Sequence, residues 1–411
     1  MTAVRSGYRA LMTRDLLIWA LVALTGKAPV AMAPLALVFM SREDPGGYTL
    51  GATLASAYVL GEVVGAPLLG TRLARHRMRP QLAAGLLVAA AAFAAIPLTR
   101  GAPVPVPVPI ALAFLAGAAP AACPGGVRTL LTRLVDEAAV PRALSAEATL
   151  TQITWAAAPA LVVVLALQAF AGAPLVLGAV LAAASAALLV LLPEPEPLNA
   201  ATAAKRTGRE PAMTRVLLSG WPVYLTSAAA MAMLATAELV LPALLEDRSL
   251  SVGWSGPLLA GFALASAAGA FCYGLRTWPG SVRVQSLVLL AATAGCVALV
   301  TVLPGLPGVA IALAAAGVFQ SGVMVSRSLS LRERLPEHAH AAGYSMMYAV
   351  QGAGYSLTAS LSAVALEVAD PTTAILGGVV IALVITAVSA LAERTPLPTR
   401  EPVPALGDHR P

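Results

Sequence analysis

Four charged side chains, Lys27, Glu62, Glu147 and Glu238, interrupt long apolar stretches of this sequence. An ionised group inside the hydrocarbon of a bilayer costs about 2.5–3.5 kcal/mol on insertion scales, so it needs a partner, an aqueous cavity or a neutral state. Burial raises the pKa of a carboxyl group and a nearby lysine lowers it, so a carboxyl group under both influences can exchange a proton with water. These residues are therefore the first candidates for carrying protons or for holding a charged ligand.

Lys27 and Glu62 fall at similar depths in consecutive apolar stretches, so we expect them to pair. The structural interpretation is an ion pair, or a lysine on the wall of a water-filled cavity. The functional interpretation is a site for proton coupling or for a ligand charge, in which Lys27 would tune Glu62 or hold an anion. Glu238 is either a proton carrier in a cavity or part of an outer acidic surface. Glu147 lies near the start of its stretch, where a helix macrodipole also stabilises an acid.

Polar and aromatic side chains near these charges form a candidate cavity lining. Several recur at steps of three, four or seven residues, which places them on one helical face. The lining consists of Glu147, Thr151, Gln152, Trp155, Tyr224, Met231, Tyr344, Tyr348, Gln351 and Tyr355. Aromatic rings and amides at this spacing suit a cavity for an amphipathic organic molecule. Hydrogen bonding between helices is the alternative interpretation.

Metal, nucleotide and nucleophilic chemistry have little support in this sequence. The three cysteines show no metal-ligand spacing, and we expect His338 and His340 to lie in a solvated loop. Phosphate-binding loops and nucleophile motifs do not occur, so we expect no cofactor, no metal and no enzyme activity. Gly61 and Gly65 form a Gly-x-x-x-Gly pattern, which predicts close helix packing.

The composition is that of a membrane protein. A soluble domain carries about 25% charged residues, whereas this chain of 411 residues has 11% charged and 58% hydrophobic residues. The net charge of +6 lies in short clusters between apolar blocks, which is typical of topology signals and argues against nucleic-acid binding.

Apolar blocks of about 20 residues, each long enough to cross a bilayer, predict an all-α integral membrane protein. We predict twelve transmembrane helices, the first uncleaved, at 16–40, 49–70, 81–98, 106–127, 143–169, 174–192, 216–241, 256–275, 284–303, 309–330, 342–366 and 372–391. They divide into two halves, 1–192 and 216–392, which a cytoplasmic linker joins at 193–215. The Pro-rich tail, 393–411, is predicted to be disordered.

Positive charge sets the predicted orientation. With the N-terminus in the cytoplasm, 22 of the 26 Lys and Arg residues fall on the cytoplasmic side and three on the outer side, and the remaining one is Lys27. Because cytoplasmic loops carry the excess of Lys and Arg, both termini are predicted to be cytoplasmic.

The two halves also repeat. Gly70, Arg72, Arg79 and Gln81 recur 204 positions later as Gly274, Arg276, Arg283 and Gln285. Arg128, Arg133, Ala143 and Gln152 recur 199 positions later as Arg327, Arg332, Ala342 and Gln351. These constant offsets indicate two homologous six-helix bundles, an arrangement that builds one class of transporters.

These features together resemble the major facilitator superfamily. The segment 61–79 is similar to that family's loop motif, Gly-x-Leu-Ala-Asp-Arg-x-Gly-Arg-Arg. Gly70, Arg75 and Arg79 match the motif, whereas Ala74 replaces its Asp and Arg77 its second Gly. Helix five, with Trp155-Ala-Ala-Ala-Pro159, resembles the drug-exporter motif Gly-x-x-x-Gly-Pro without its glycines. The sequence is similar in style to actinobacterial members of the superfamily, several of which move drugs or natural products.

The resemblance implies a monomeric transporter of the cytoplasmic (inner) cell membrane that works by alternating access. Its partners would be lipid, protons and a small molecule bound near helices one, two, five, seven and eleven. Proton-coupled export of an amphipathic compound is the first hypothesis, with Glu62 and Glu238 as proton carriers. The alternatives are a small-molecule importer and a non-transporting receptor, scaffold or enzyme on the same fold.

Overall fold

The computed structural model describes residues 11–42, 47–73, 77–100, 104–193 and 212–393, and these residues form helices with no β-strand. The α-helices are α1 (Arg14–Ser41), α2 (Gly47–Leu73), α3 (Met78–Leu98), α4 (Pro107–Ala118), α5 (Cys123–Arg133), α6 (Val140–Gln168), α7 (Ala173–Leu189), α8 (Met213–Ser219), α9 (Trp221–Asp247), α10 (Ser255–Tyr273), α11 (Val282–Val300), α12 (Gly305–Arg334), α13 (His340–Val368) and α14 (Pro371–Ala392). Single 3-10 turns at Glu137–Ala139, Val252–Trp254 and Glu337–Ala339 precede α6, α10 and α13.

Each predicted membrane helix corresponds to a helical segment, with two divisions, the smaller of which is at Gly220, between α8 and α9 within 216–241. The predicted helix at 106–127 is two helices, α4 and α5, which a turn around Pro120 separates. In addition, α5 and α12 continue to Arg133 and Arg334, so Arg128 lies inside a helix rather than in a loop.

Ten helical segments of the described chain are long and apolar enough to cross a bilayer. The ten include α4 and α5 taken together, whereas α7 is apolar but shorter. α13 is not among them, and its sequence carries three of the four tyrosines and one of the two glutamines of the predicted cavity lining. The total of twelve spans therefore stays a prediction.

The helix ends follow local sequence signals. Thr13 and Ser281 accept a backbone N–H at the start of α1 and α11, and Pro occupies the first turn of α4, α5, α6, α7, α9 and α14. Asp370 caps α14, and hydrogen bonds from Thr373 lower the pKa of its exposed carboxyl. These signals mark the start of eight of the fourteen α-helices that the structure describes.

The helices pack in two groups. α1 packs on α7, α2 on α4, and α3 on α7, while α9 packs on α13 and α14, and α12 on α10 and α11. One apolar cluster draws its buried residues from between 31 and 179, and another from between 229 and 382. The two groups meet where α2 and α5 contact α13 and where α6 contacts α10 and α12. Any site between the groups is therefore built on α2, α5, α6, α10, α12 and α13.

Glycines permit the closest helix contacts in the first group. A methyl group on Gly61 would overlap the Phe114 carbonyl, one on Gly65 the Ala118 carbonyl, and one on Gly117 the Tyr58 carbonyl. α2 and α4 therefore approach backbone to backbone, as small residues allow in membrane helices. The packing role predicted for Gly61 and Gly65 is confirmed.

Candidate functional site

Lys27, Arg128 and Glu147 form a buried charge cluster between α1, α5 and α6. The Lys27 ammonium is hydrogen-bonded to Glu147 Oε1 and donates to Thr151 Oγ1 at 2.6 Å. Arg128 Nε donates to Glu147 Oε2 and its Nη2 to Glu147 Oε1, each at 3.0 Å. The carboxylate thus accepts two hydrogen bonds from the guanidinium, in a bidentate arrangement, and another from the ammonium. Such charge-assisted bonding is strong and geometrically specific.

Arg128 also connects this cluster to the second group of helices. Its Nη1 donates to Ser328 Oγ of α12 at 3.3 Å, and its Cζ lies 5.5 Å from the centre of the Tyr344 ring of α13. The latter is a cation–π contact. The cluster therefore lies at the contact between the two groups, where a ligand bound between them would touch both.

The cluster corrects the predicted pairing of Lys27. Its acid is Glu147, with which it forms an ion pair, and not Glu62. Glu147 is 3% exposed and bonded to two cations, so the helix macrodipole alone does not account for it. Arg128 was placed in a loop by sequence, because charge ended the predicted helix at 127. The amphipathic pattern of Cys123–Arg133 is the signal that extends the helix past it.

Glu62 lies in α2 beside two tyrosines. The Tyr58 hydroxyl donates to Glu62 Oε1 at 3.4 Å, and Tyr348 of α13 interacts electrostatically with the same carboxyl. In the part of the chain that the structure describes, no Lys, Arg or His forms an ion pair with Glu62. This carboxyl therefore lies at the α2–α13 contact beside two tyrosines.

Glu238 has a similar environment on the other side of α13. The Tyr355 hydroxyl donates to Glu238 Oε2 at 2.9 Å, and Glu238 is also without an ion-pair partner among the described residues. Glu238 is partly buried, so it does not belong to an exposed acidic surface. The spacing of Tyr348 and Tyr355 on α13 thus gives each candidate proton carrier a tyrosine neighbour.

The other predicted lining residues divide into partly accessible and packed positions. Gln152, Met231 and Gln351 are partly buried, and Gln351 Nε2 lies 3.5 Å from the sulfur of Met324. Trp155 is 46% exposed at the surface of α6. The lining role of these four residues stays a prediction.

Two predicted lining residues, Tyr224 and Tyr344, are part of a packed core instead. Both belong to an apolar cluster with Leu331 and Leu335, and they are 6% and 1% exposed. Tyr344 still touches the site through its ring, over which Arg128 lies.

A shallow apolar groove runs between α2 and α13. Its volume is about 430 Å³, and its lining consists of Ala55, Ser56, Val59, Leu60, Val63, Ala353 and Ser356. Small and aliphatic side chains on both walls suit the apolar part of a ligand rather than its polar part.

The opposite portion of the α2–α13 contact is closed. A methyl group on Gly70 would lie 2.8 Å from Ser345 Cβ, and one on Gly125 would lie 2.6 Å from the Ala341 carbonyl oxygen. Both distances are too short for a side chain, so α2 and α5 touch α13 closely at the end predicted to be cytoplasmic. Gly125 was not singled out from the sequence, because its neighbour is distant along the chain.

Two ion pairs cross the same closed end in a reciprocal pattern. Arg332 at the end of α12 forms a two-pronged pair with Glu137, with Nη2 to Oε2 at 2.8 Å. Arg133 at the end of α5 lies 3.9 Å from Glu337. Arg133 and Arg332 are the repeat equivalents noted in the sequence, and each pairs with the acid of the other half.

The family is decided by sequence comparison. The model of the Major Facilitator Superfamily matches residues 18–281. The chain belongs to this superfamily. It is therefore a multi-pass membrane protein and a transporter rather than an enzyme. A comparison with curated protein sequences gives no significant match.

Solved structures show the same fold at low sequence identity. The human organic anion transporter MFSD10 (TETRAN) superimposes with a TM-score of 0.70 at 14% identity, covering 90% of this chain and 97% of that one. A bacterial homologue of the iron transporter ferroportin gives 0.68 at 15% identity, with 93% and 98% covered. The E. coli fucose:proton symporter FucP gives 0.65 at 14%, with 92% and 99% covered. At these identities the likeness shows the Major Facilitator fold alone.

The loop motif of the superfamily is only partly placed. Gly70 lies at the close α2–α13 contact, and Arg79 Nη1 donates to the Val190 carbonyl at 3.3 Å. Arg75 lies outside the described residues. The gating role predicted for these three residues stays a prediction.

Reversing the charge of Glu137 is expected to weaken closure of this end of the facilitator. In Glu137→Arg the new side chain would repel Arg332. Because Glu137 is 79% exposed, the closed state should lose about 1 kcal/mol of stability or less. The ratio of closed to open molecules should then fall by about fivefold or less. The measurement is the distance between spin labels at Ala138 and Glu333, taken by double electron–electron resonance in a cysteine-free background.

The matched control is the double reversal, Glu137→Arg with Arg332→Glu, which restores opposite charges. Recovery of the short distance in the double variant supports the pairing. A distance distribution that is the same in the wild type and in Glu137→Arg contradicts it.

Proposed function

We propose that this chain is a secondary active transporter that exports a small amphipathic organic compound in exchange for protons. The observation that carries the proposal is the environment of Glu62 and Glu238, which lie inside helices beside tyrosines and without an ion-pair partner among the described residues. A membrane carboxyl that no fixed cation compensates can alternate between a charged and a protonated state, as proton relays in transporters require.

The proposed architecture has twelve spans in two homologous halves, 1–192 and 216–392, with the linker 193–215 and both termini in the cytoplasm. Glu393, the first residue of the predicted tail, pairs with Arg327, and 394–411 lie outside the described residues. The protein would act as a monomer in the cytoplasmic (inner) cell membrane. Substrate would bind between the halves, and the halves would rock around it. The closed α2–α13 and α5–α13 contacts support a state that is shut toward the cytoplasm.

The test is substrate-dependent proton flux in proteoliposomes with a trapped pH dye. Radiolabelled antibiotics and metabolites serve as the substrate panel. For any compound that the wild type moves, Glu62→Gln and Glu238→Gln should each reduce pH-gradient-driven transport, and the double variant should abolish it. Counterflow of labelled against unlabelled compound needs no net proton movement, so it should persist.

Glu246→Gln is the matched control, because Glu246 is an exposed acid on the same helix as Glu238. It should transport like the wild type. If the double variant keeps gradient-driven transport, the proton carriers are elsewhere. Accumulation with the opposite sign of the pH gradient would identify an importer, and the absence of flux with every compound would favour a non-transporting protein.

A further inference from the structure

The charges of the Lys27–Arg128–Glu147 cluster do not cancel. Two cations share one carboxylate, which leaves a net charge of +1 inside the helical bundle. Lys27 interacts electrostatically with Glu147 and Arg128. Besides Lys27, the groups that interact electrostatically with Arg128 are Glu147 and Tyr344. Among the described residues, no second acid reaches the cluster.

The nearby acids are engaged elsewhere. Glu137 pairs with Arg332, and Glu337 lies 3.9 Å from Arg133. Glu62 accepts from Tyr58. The surplus positive charge is therefore not compensated within the described chain, although an uncompensated charge in hydrocarbon is costly.

Both cations remain partly accessible. The Lys27 side chain is 14% exposed and the Arg128 side chain 21%, whereas Glu147 is 3% exposed. Hydroxyl groups flank them on both sides and accept hydrogen bonds from them, Thr151 from Lys27 and Ser328 from Arg128. The cluster thus presents donors and positive charge outward and keeps its acid covered.

A second buried cluster shows what a structural role looks like in this fold. Arg327, the repeat equivalent of Arg128, donates to Glu393 at 2.6 Å, and Arg283 lies 3.3 Å from the same carboxylate. Arg327 is 0% exposed, so no ligand reaches it, and the surplus cation Arg283 is 32% exposed at the helix end. There the extra charge is at the edge of the fold, whereas in the Lys27–Arg128–Glu147 cluster it lies between the helix groups.

We infer that the Lys27–Arg128–Glu147 cluster binds the anionic group of the substrate, so that the compounds carried are amphipathic organic anions, carboxylates first among them. This inference rests on the proposed function, because it names the substrate class of a transporter. A bound carboxylate neutralises the surplus charge and accepts from Lys27 and Arg128 in place of part of their bonding to Glu147. Since Arg128 also contacts α12 and α13, the anion is held at the junction of the two helix groups.

Binding is tested with 2-naphthoate and its neutral isostere 2-naphthamide. The full-length protein in nanodiscs is titrated by calorimetry up to about 1 mM of each compound, the upper range of ordinary substrate affinities. The wild type should bind 2-naphthoate at least tenfold more tightly than 2-naphthamide, because a charge-assisted hydrogen bond contributes more than a neutral one.

Lys27→Met and Arg128→Met each leave one cation paired with Glu147, so both variants should fold. Each should weaken 2-naphthoate binding by at least about tenfold and leave 2-naphthamide unchanged. Arg248→Gln removes the same charge from an arginine that bonds the Leu303 carbonyl away from the cluster, and it should bind like the wild type.

The sign of the Glu147→Gln effect provides an independent readout. If Glu147 competes with the ligand for the two cations, Glu147→Gln should strengthen 2-naphthoate binding in the protein that folds. Weaker binding in Glu147→Gln, equal binding of acid and amide, or no binding of 2-naphthoate by the wild type would overturn the inference.

Failure of the inference and failure of transport are distinguishable. Preferential binding of 2-naphthoate without any flux of it in proteoliposomes keeps the anion site and contradicts transport of this class. Transport of neutral or cationic compounds by a protein that does not prefer 2-naphthoate keeps the transporter and overturns the anion site.

Discussion

Replacement of Glu147 by glutamine is expected to lower the free energy of unfolding by about 3–5 kcal/mol, as removal of one partner from a buried ion pair does. The side chain is isosteric, so packing on α6 is preserved and the change isolates charge. What remains is Lys27 and Arg128 close together with no acid, in a bundle where both are largely buried. Unfolding in detergent by titration with SDS, followed by circular dichroism, measures the loss.

The controls follow from the surplus of one cation. Lys27→Met leaves the Arg128–Glu147 pair neutral, so it should change stability by less than about 1.5 kcal/mol, as a volume-conserving change does. Adding Lys27→Met to Glu147→Gln should recover part of the lost stability, because one cation is then left instead of two. If Lys27→Met is as damaging as Glu147→Gln, the carboxylate is not the element that holds this cluster together.

A second large loss of stability is expected from Gly117→Ala. The new methyl group would overlap the Tyr58 carbonyl oxygen, which belongs to the backbone and cannot rotate away. α2 and α4 must therefore separate, and overpacking of this kind costs about 1–3 kcal/mol or more. The same movement displaces Tyr58 from Glu62, so gradient-driven transport should fall together with thermal stability.

Gly295→Ala is the matched control for that change. Gly295 is in the interior of α11, and nothing lies within 4 Å of a methyl group placed there. Alanine is favoured over glycine inside a helix by about 0.5–1 kcal/mol, so this variant should be slightly more stable than the wild type. Equal effects of the two substitutions would show that helix propensity, and not the α2–α4 contact, governs Gly117.

Local patterns were sufficient to predict the helices and their approximate ends. Apolar length, prolines in first turns and caps such as Asp370 act within one or two helical turns, so they can be read along the chain. The division of the fourth predicted helix was missed because hydropathy stays high across Ala119–Ala122, where the break occurs. Hydropathy also truncated α5, since Arg128 looks like a loop charge until its partner Glu147 is known.

The sequence predicted the charged residues of the candidate site but not which residues they contact. Lys27, Glu62, Glu147 and Glu238 were all singled out because charge in an apolar block is unusual. Their partners were not, because a pair such as Lys27 and Glu147 is separated by 120 positions and depends on how α1 and α6 cross.

The sequence by itself determined the membrane class, the helical segments, the repeat and the set of intramembrane charges, because each depends on composition or on local periodicity. Only the tertiary structure decided which charges meet. It paired Lys27 with Glu147, gave Glu62 and Glu238 tyrosine neighbours, and brought Arg128 into a cluster with one positive charge to spare. Electrostatic interaction depends on distance through space, and the packing of α1, α5 and α6 sets that distance.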